Sequence, residues 1–282
     1  MTKSTKPKIS TDRKMRNALN KKYLEHSVFG QLTEYADFYG SLSDSIMSWI
    51  SQGTNSAINI DTYVFSSTQG TLESIHDILL KGRINDAYAL LRKYYDVTII
   101  NLYSNLYLSD NFSFDNFIVE KINNWVKGKE KIPSFKKMSE YIIKSNKVSE
   151  ITQLIYSNGS FNGSTFEYLR QRCNDHTHYL YYHNLLSNDN GVYLQNRLAM
   201  LDSFSNDLKD IFILHISYLF YQNDHYMMSS DHLESLECGL IPGEDSQYWV
   251  ASFIQNIFDR VIKANRPDIA ETIKGKTAMK LQ

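Results

Sequence analysis

The chain has 282 residues, which is enough for one large domain or two small ones. Thirty basic and 31 acidic side chains nearly cancel, so no global field draws the protein to nucleic acid, and such binding would need a local patch. Two cysteines do not make a disulfide framework. No apolar run approaches the roughly 18 residues of a membrane span, and no apolar core follows the first ten residues, so we expect a cytoplasmic protein with no membrane partner.

Helix breakers are scarce: the sequence has 4 prolines and 12 glycines. Apolar residues recur at helical spacing along most of the chain, and no stretch alternates strictly enough to predict a strand. We therefore predict an all-α, multi-helix bundle. The predicted helices cover, in chain order, residues 29–50, 61–80, 86–108, 112–132, 133–145, 146–156, 166–183, 193–221, 244–264 and 268–273.

Three segments are expected. Residues 1–26 form a basic arm that leads into the first helix, either as a solvated tail or as a contact for RNA or DNA phosphates. Residues 27–225 form the main helical domain, and residues 226–282 form a C-terminal helical extension packed on the same domain.

Residues 166–183 crowd arginine, amide, carboxylate and histidine into one predicted helix. On an ideal helix Arg170, Asn174 and His178 lie within roughly 80° of one another. Arg172 and His176 form a second stripe. Asp175, three residues before His178, is placed to accept a hydrogen bond from its ring.

This combination suits metal-free phosphodiester chemistry, in which histidine moves protons and arginine stabilises charge on phosphorus. A metal site fits less well, because His176 and His178 are two residues apart and point to different sides of a helix. The competing interpretation is a polar helix face satisfied by neighbouring helices or by an oligomer interface.

Arg92 and Asp96 lie four residues apart on the third predicted helix. They form either a simple intrahelical ion pair or a buried polar pair that orients the histidine-rich helix.

The run from Arg172 to His178 resembles the signature of HEPN domains, in which a histidine follows an arginine by four to six positions. Arg172 with five residues before His178 fits this pattern, and Arg170 with five before His176 fits it as well. Residues 79–96 also look like the early helix pair of HEPN-like proteins of abortive-infection type. The resemblance covers about residues 60–225.

The resemblance implies a HEPN-like core with added N- and C-terminal helices. It also implies a homodimer with the site in a shared cleft, and metal-independent endoribonuclease activity without a cofactor. By this analogy His178 activates the ribose 2′-hydroxyl or protonates the leaving oxygen, Arg172 stabilises the phosphorane, and Asn174 positions the phosphate. The supporting residues are Arg170, Asp175, His176, Arg92 and Asp96.

The expected substrate is RNA, with tRNA and mRNA as the two candidate classes, and the expected setting is prokaryotic defence. The products would carry a 2′,3′-cyclic phosphate. Two other functions stay open: a non-catalytic helical subunit of a multi-protein defence system, and a nucleic-acid binder that uses the basic arm and exposed tyrosines.

Overall fold

A computed structural model describes residues 21–47, 60–113, 118–157, 163–188 and 196–282. Of the described residues, 79% are helical. No β-strand occurs in these ranges, although an isolated antiparallel bridge joins Met228 to Val250. The predicted all-α, multi-helix bundle is confirmed. Most of the predicted N-terminal arm, residues 1–20, lies outside the described residues.

Ten of the described helices correspond in chain order to the predicted ones, and three short helices, Lys21–Leu24, Tyr182–Leu186 and Asp231–Glu237, are additional. In the first half of the chain they are α1 (Lys21–Leu24), α2 (Ser27–Met47), α3 (Ile60–Leu80), α4 (Ile84–Asn111), α5 (Glu120–Val126) and α6 (Phe135–Lys144). In the second half they are α7 (Ser149–Ser157), α8 (Gly163–Thr177), α9 (Tyr182–Leu186), α10 (Arg197–Gln222), α11 (Asp231–Glu237), α12 (Ser252–Ile257) and α13 (Pro267–Lys276). Short 3₁₀ turns cover Asn146–Val148, Asp224–Met227 and Ser246–Tyr248, and a π-helical segment, Phe258–Lys263, extends α12.

Three predicted helices differ from the structure. In the range 112–132, where one helix is predicted, the described residues are helical only in α5, and the helix predicted over residues 166–183 ends at Thr177. The helix predicted over residues 244–264 begins only at Ser252. Before that point residues 246–248 form a 3₁₀ turn and residues 249–251 are extended, where the N–H of Ser229 donates to the carbonyl of Trp249 and that of Ala251 donates to the carbonyl of Met227. This tertiary pairing outweighs the helical periodicity of the segment.

The centre of the bundle is α10. Every side chain from Ile211 to Tyr221 is buried, as expected for a helix surrounded by others. It packs against α2, α4, α7 and α13, and the C-terminal helices contribute to the same continuous hydrophobic core.

A chain of buried hydrogen bonds crosses this core. Tyr39 lies between Tyr94, at 2.8 Å, and Nδ1 of His215, at 2.7 Å. Nε2 of His215 lies 2.9 Å from the amide oxygen of Asn101, whose nitrogen donates to Asp61 at 2.6 Å. Because Asn101 presents its oxygen to His215, the neutral ring carries its proton on Nε2 and accepts from Tyr39 at Nδ1.

This series of hydrogen bonds ends at the buried carboxylate of Asp61. It also accepts hydrogen bonds from Tyr226, at 2.6 Å, and from Asn105, at 3.1 Å. Burial raises the pKa of Asp61 and lowers that of His215 to about 3. The network is therefore an ordered polar core built around a neutral histidine.

Candidate functional site

Helix α8, which carries the arginine and histidine motif, is held by one apolar stripe. Phe166, Leu169 and Cys173 are buried and share one side of the helix. This stripe packs α8 against α4, and contacts with α7 support it. Burial raises the pKa of the Cys173 thiol, so this cysteine is an unreactive core residue.

Arg172 is held by a carboxylate from the central helix. Its Nε and Nη2 donate to the two oxygens of Asp207 at 2.8 and 3.1 Å. The hydroxyl of Tyr88 donates to the same carboxylate at 3.2 Å. Asp207 is buried, whereas 45% of the Arg172 side chain remains exposed. Two of the five guanidinium N–H groups therefore point inward, and three remain for a ligand.

Two carboxyl groups of α10 have raised pKa values beside this arginine. Burial raises the pKa of Asp207 to about 6, although the charge of Arg172 opposes the shift. Burial, with repulsion from Asp207, raises the pKa of Asp210 to about 7. Both carboxyl groups are therefore harder to ionise than an exposed aspartate.

His176 belongs to the core. It is only 6% exposed, its ring stacks on Tyr88 at a centroid distance of 4.2 Å, and its Nδ1 lies 2.9 Å from the amide oxygen of Asn85. Burial lowers its pKa to about 4. His176 is thus a neutral packing residue, and the alternative pair Arg170/His176 has no accessible histidine.

On the side of α8 that faces α4 and α6, Arg92 links several of the predicted residues. Its Nε donates to Asp96 at 3.0 Å and its Nη1 donates to the Asn174 amide oxygen at 2.5 Å. Arg92 therefore takes part in an intrahelical ion pair and also connects α4 to α8. The guanidinium of Arg170 lies 4.3 Å from the ring centroid of Phe135.

His178 lies at the C-terminal end of α8, with its side chain exposed. Its backbone N–H still bonds to the Asn174 carbonyl at 2.9 Å. The carboxylate of Asp175 does not reach this ring, because it accepts instead from Gln171 at 2.6 Å. His178 is therefore an accessible histidine without the carboxylate support that its spacing predicts.

The end of α8 has a Schellman motif with an unusual residue. The N–H of Leu180 bonds to the Asp175 carbonyl and that of Tyr179 to the His176 carbonyl. Tyr179 has φ +50°, in the left-handed region that glycine adopts without strain. Three other described helices end in the same motif with glycine at this position: Gly82, Gly128 and Gly239.

After this turn the chain presents an exposed aromatic segment. Its large exposed side chains are Tyr179, Leu180, Tyr181, Tyr182 and Leu185. Tyr182 is 75% exposed, and the ring of His183 lies parallel to that of Tyr181 at 5.6 Å. Such a cluster directly beside His178 is a surface suited to a partner.

Sequence reasoning missed Asp207, Tyr88 and Phe135, which complete the surroundings of α8. Asp207 had a detectable signal, because it stands on the buried stripe of α10 between Phe204 and Ile211. A carboxylate at a core position needs a partner, and the motif arginine is that partner. Nothing local in the sequence singles out Tyr88 or Phe135.

Among the described residues, no group of three histidine, cysteine, aspartate or glutamate side chains is arranged to hold a metal ion. No helix within the described ranges combines the length and the apolar character needed to cross a membrane. Comparison with protein-family models, characterised proteins and solved structures found no match to this chain.

Proposed function

We propose that the protein is a HEPN-like, metal-independent endoribonuclease that uses Arg172 and His178. The observation that carries this proposal is the state of Arg172, a guanidinium fixed by a buried carboxylate with three N–H groups left for a ligand. His178 is exposed on the same helix end, whereas His176 is buried and neutral. Accessibility thus favours Arg172/His178 over Arg170/His176.

The proposed reaction needs proton transfer and charge stabilisation. His178 takes the proton of the ribose 2′-hydroxyl and the resulting oxygen attacks the adjacent phosphorus. The bond from phosphorus to the 5′-oxygen of the next nucleotide breaks, and this oxygen takes a proton from water, while His178 later returns its own proton to solvent. Arg172 stabilises the added negative charge on the phosphorane by two-pronged hydrogen bonding. The products are a 2′,3′-cyclic phosphate and a 5′-hydroxyl.

Asn174 has a more indirect role in this proposal than its position in the motif predicts. Its amide oxygen already accepts from Arg92, so only its N–H groups remain for a phosphate.

The proposed site is shared between two copies of the chain. Residues six apart on a helix diverge by about 120°, so one Arg172 and one His178 do not converge easily within a protomer. A two-fold axis near the end of α8 would bring each residue toward its counterpart. The exposed segment of residues 179–185 supports this arrangement, because a dimer contact would cover it. The proposed setting is the cytoplasm of a prokaryotic cell under phage attack.

One observation favours a second function, that of a non-catalytic interaction subunit. Exposed tyrosine and leucine side chains at residues 179–185 resemble the anchors of protein interfaces, where tyrosine is enriched. In that case the ion pair between Arg172 and Asp207 serves only to fix α8, and the partner is another protein of the same defence system.

The deciding experiment incubates purified protein with total cellular RNA in EDTA, beside Arg172→Ala and His178→Ala. His76→Ala is the matched control, because His76 is a partly exposed histidine on α3, outside α8 and outside the exposed segment of residues 179–185. Cleavage that the first two variants lose and the control retains would support the ribonuclease. Absence of cleavage by the folded wild type would favour the interaction subunit, and cleavage by all variants would exclude Arg172 and His178 as its source.

A further inference from the structure

Two arginines from different helices converge on one aromatic ring. The guanidinium carbon of Arg170, on α8, lies 4.3 Å from the centroid of Phe135, and that of Arg92, on α4, lies 5.4 Å from it. Tyr95 packs edge-on against the same ring at 5.2 Å. The two cations are therefore held close together in a partly buried setting.

The positive charge of this cluster is only half compensated. Asp96 pairs with Arg92 at 3.0 Å. Within the described part of the chain, no carboxylate lies within ion-pair distance of Arg170. Burial and repulsion from Arg92 lower the pKa of Arg170. One guanidinium thus stands near another without an anion of its own, an arrangement that an added anion would stabilise.

The cluster also has unused hydrogen-bond donors. The Nε of Arg170 is buried and has no acceptor among the described residues. The amide oxygen of Asn174 faces Arg92, which leaves its N–H groups free to donate. Buried donors normally have acceptors, so the buried Nε of Arg170 and the N–H groups of Asn174 together suit a ligand that is rich in acceptors. Phosphate oxygens match guanidinium donors in geometry and charge.

We propose that Arg170, Arg92 and Asn174 form a phosphate-binding subsite, whose ligand is a backbone phosphate of single-stranded RNA. This assignment rests on the proposed ribonuclease function. Arg170, Asn174 and His178 share one stripe of α8, and eight residues of helix span about 12 Å. The subsite therefore holds a phosphate flanking the one at which His178 acts, and it sets the position of the strand.

The test measures binding in EDTA, in the His178→Ala background so that the RNA stays intact. One arm titrates inorganic phosphate at constant ionic strength, and the other titrates a fluorescent single-stranded RNA. Arg170→Gln removes both the positive charge and the planar guanidinium group that can bind a phosphate with two hydrogen bonds. Arg170→Lys keeps the charge but lacks that two-pronged geometry. Arg260→Gln is the matched control, because Arg260 is 70% exposed and forms an ion pair with Glu34 elsewhere. Circular dichroism confirms that each variant is folded.

We expect Arg170→Gln to weaken the binding of both phosphate and RNA at least tenfold, since a hydrogen bond to a charged group has about that effect on affinity. The affinity of Arg170→Lys for both ligands should lie between those of wild type and Arg170→Gln. The affinity of the control Arg260→Gln should change by less than about twofold. The salt dependence of RNA binding should decrease by about one phosphate contact in Arg170→Gln.

Equal losses in Arg170→Gln and Arg260→Gln would overturn the subsite, as would wild-type protein that binds no phosphate. Weakened phosphate binding with unchanged RNA binding would mean a free small anion as the ligand, and would overturn the RNA assignment. The ribonuclease proposal and the subsite proposal can fail separately. If RNA binding depends on Arg170 but the wild-type protein cleaves no RNA, the ribonuclease is refuted and the phosphate-binding subsite is retained.

Discussion

Replacing Tyr179 by glycine is expected to stabilise the protein relative to alanine at the same position. Tyr179 has φ +50°, where a side chain with a Cβ costs about 1–2 kcal/mol. Glycine avoids that cost but loses roughly 0.5–1 kcal/mol more backbone entropy on folding. Both variants lose the tyrosine ring equally, so the difference between them isolates the backbone conformation. Tyr179→Gly should therefore exceed Tyr179→Ala in stability by about 0.5–1 kcal/mol.

The assay is urea unfolding, with the free energy of unfolding and the slope measured for each variant. Gly128→Ala is the reciprocal control. Gly128 occupies the equivalent position in the Schellman motif that ends α5, with φ +68°, and an added Cβ there would meet no atom within 4 Å. It should lose a similar amount of stability for the backbone reason alone. If Tyr179→Ala proves as stable as Tyr179→Gly while Gly128→Ala is destabilised, the helix end does not carry the strain inferred here.

Three further outcomes are expected. Asp61→Leu should lose about 3 kcal/mol or more, because it removes the acceptor of three donors, one buried and two partly buried, whereas Asp61→Asn should cost less. Equal free energies of unfolding for the two variants would contradict the network. Burial lowers the pKa of His176 in the folded protein to about 4, below the 6.5 of an exposed histidine, so its contribution to stability is present above pH 6.5 and is lost as the pH falls toward 4. Over that range wild type should lose about 3 kcal/mol more than His176→Gln, because the variant lacks the shifted imidazole. Phe212→Ala should cost about 3–5 kcal/mol in urea unfolding, since it removes a fully buried ring, and a cost below about 1 kcal/mol would be inconsistent with this core.

The retention of tyrosine at a position that favours glycine bears on function. Strained residues persist where another requirement outweighs their cost, and they are concentrated at functional sites. Tyr179 is exposed, so its ring contributes little to the core. The structure therefore makes residues 179–185, together with His178, the surface on which loss of partner or RNA binding should first be sought.

Local sequence patterns were sufficient for the helical architecture. Helical spacing and few breakers predicted an all-α bundle, which is confirmed, and the helix predicted over residues 61–80 matches α3, Ile60–Leu80. The spacing of Arg92 and Asp96 likewise corresponds to the ion pair observed within α4. These features arise between residues a few positions apart, so the sequence determines them directly.

The properties of the site were decided by contacts between distant segments. Arg172 is fixed by Asp207 from α10, His176 is made neutral by packing on Tyr88 from α4, and α8 ends at a left-handed tyrosine that no local signal marks. Helical periodicity shows which residues share a face, but burial and partner charges decide whether an arginine or histidine is available for chemistry. The sequence by itself therefore determined the helices and the motif, and only the tertiary structure separated Arg172 and His178 from their buried neighbours.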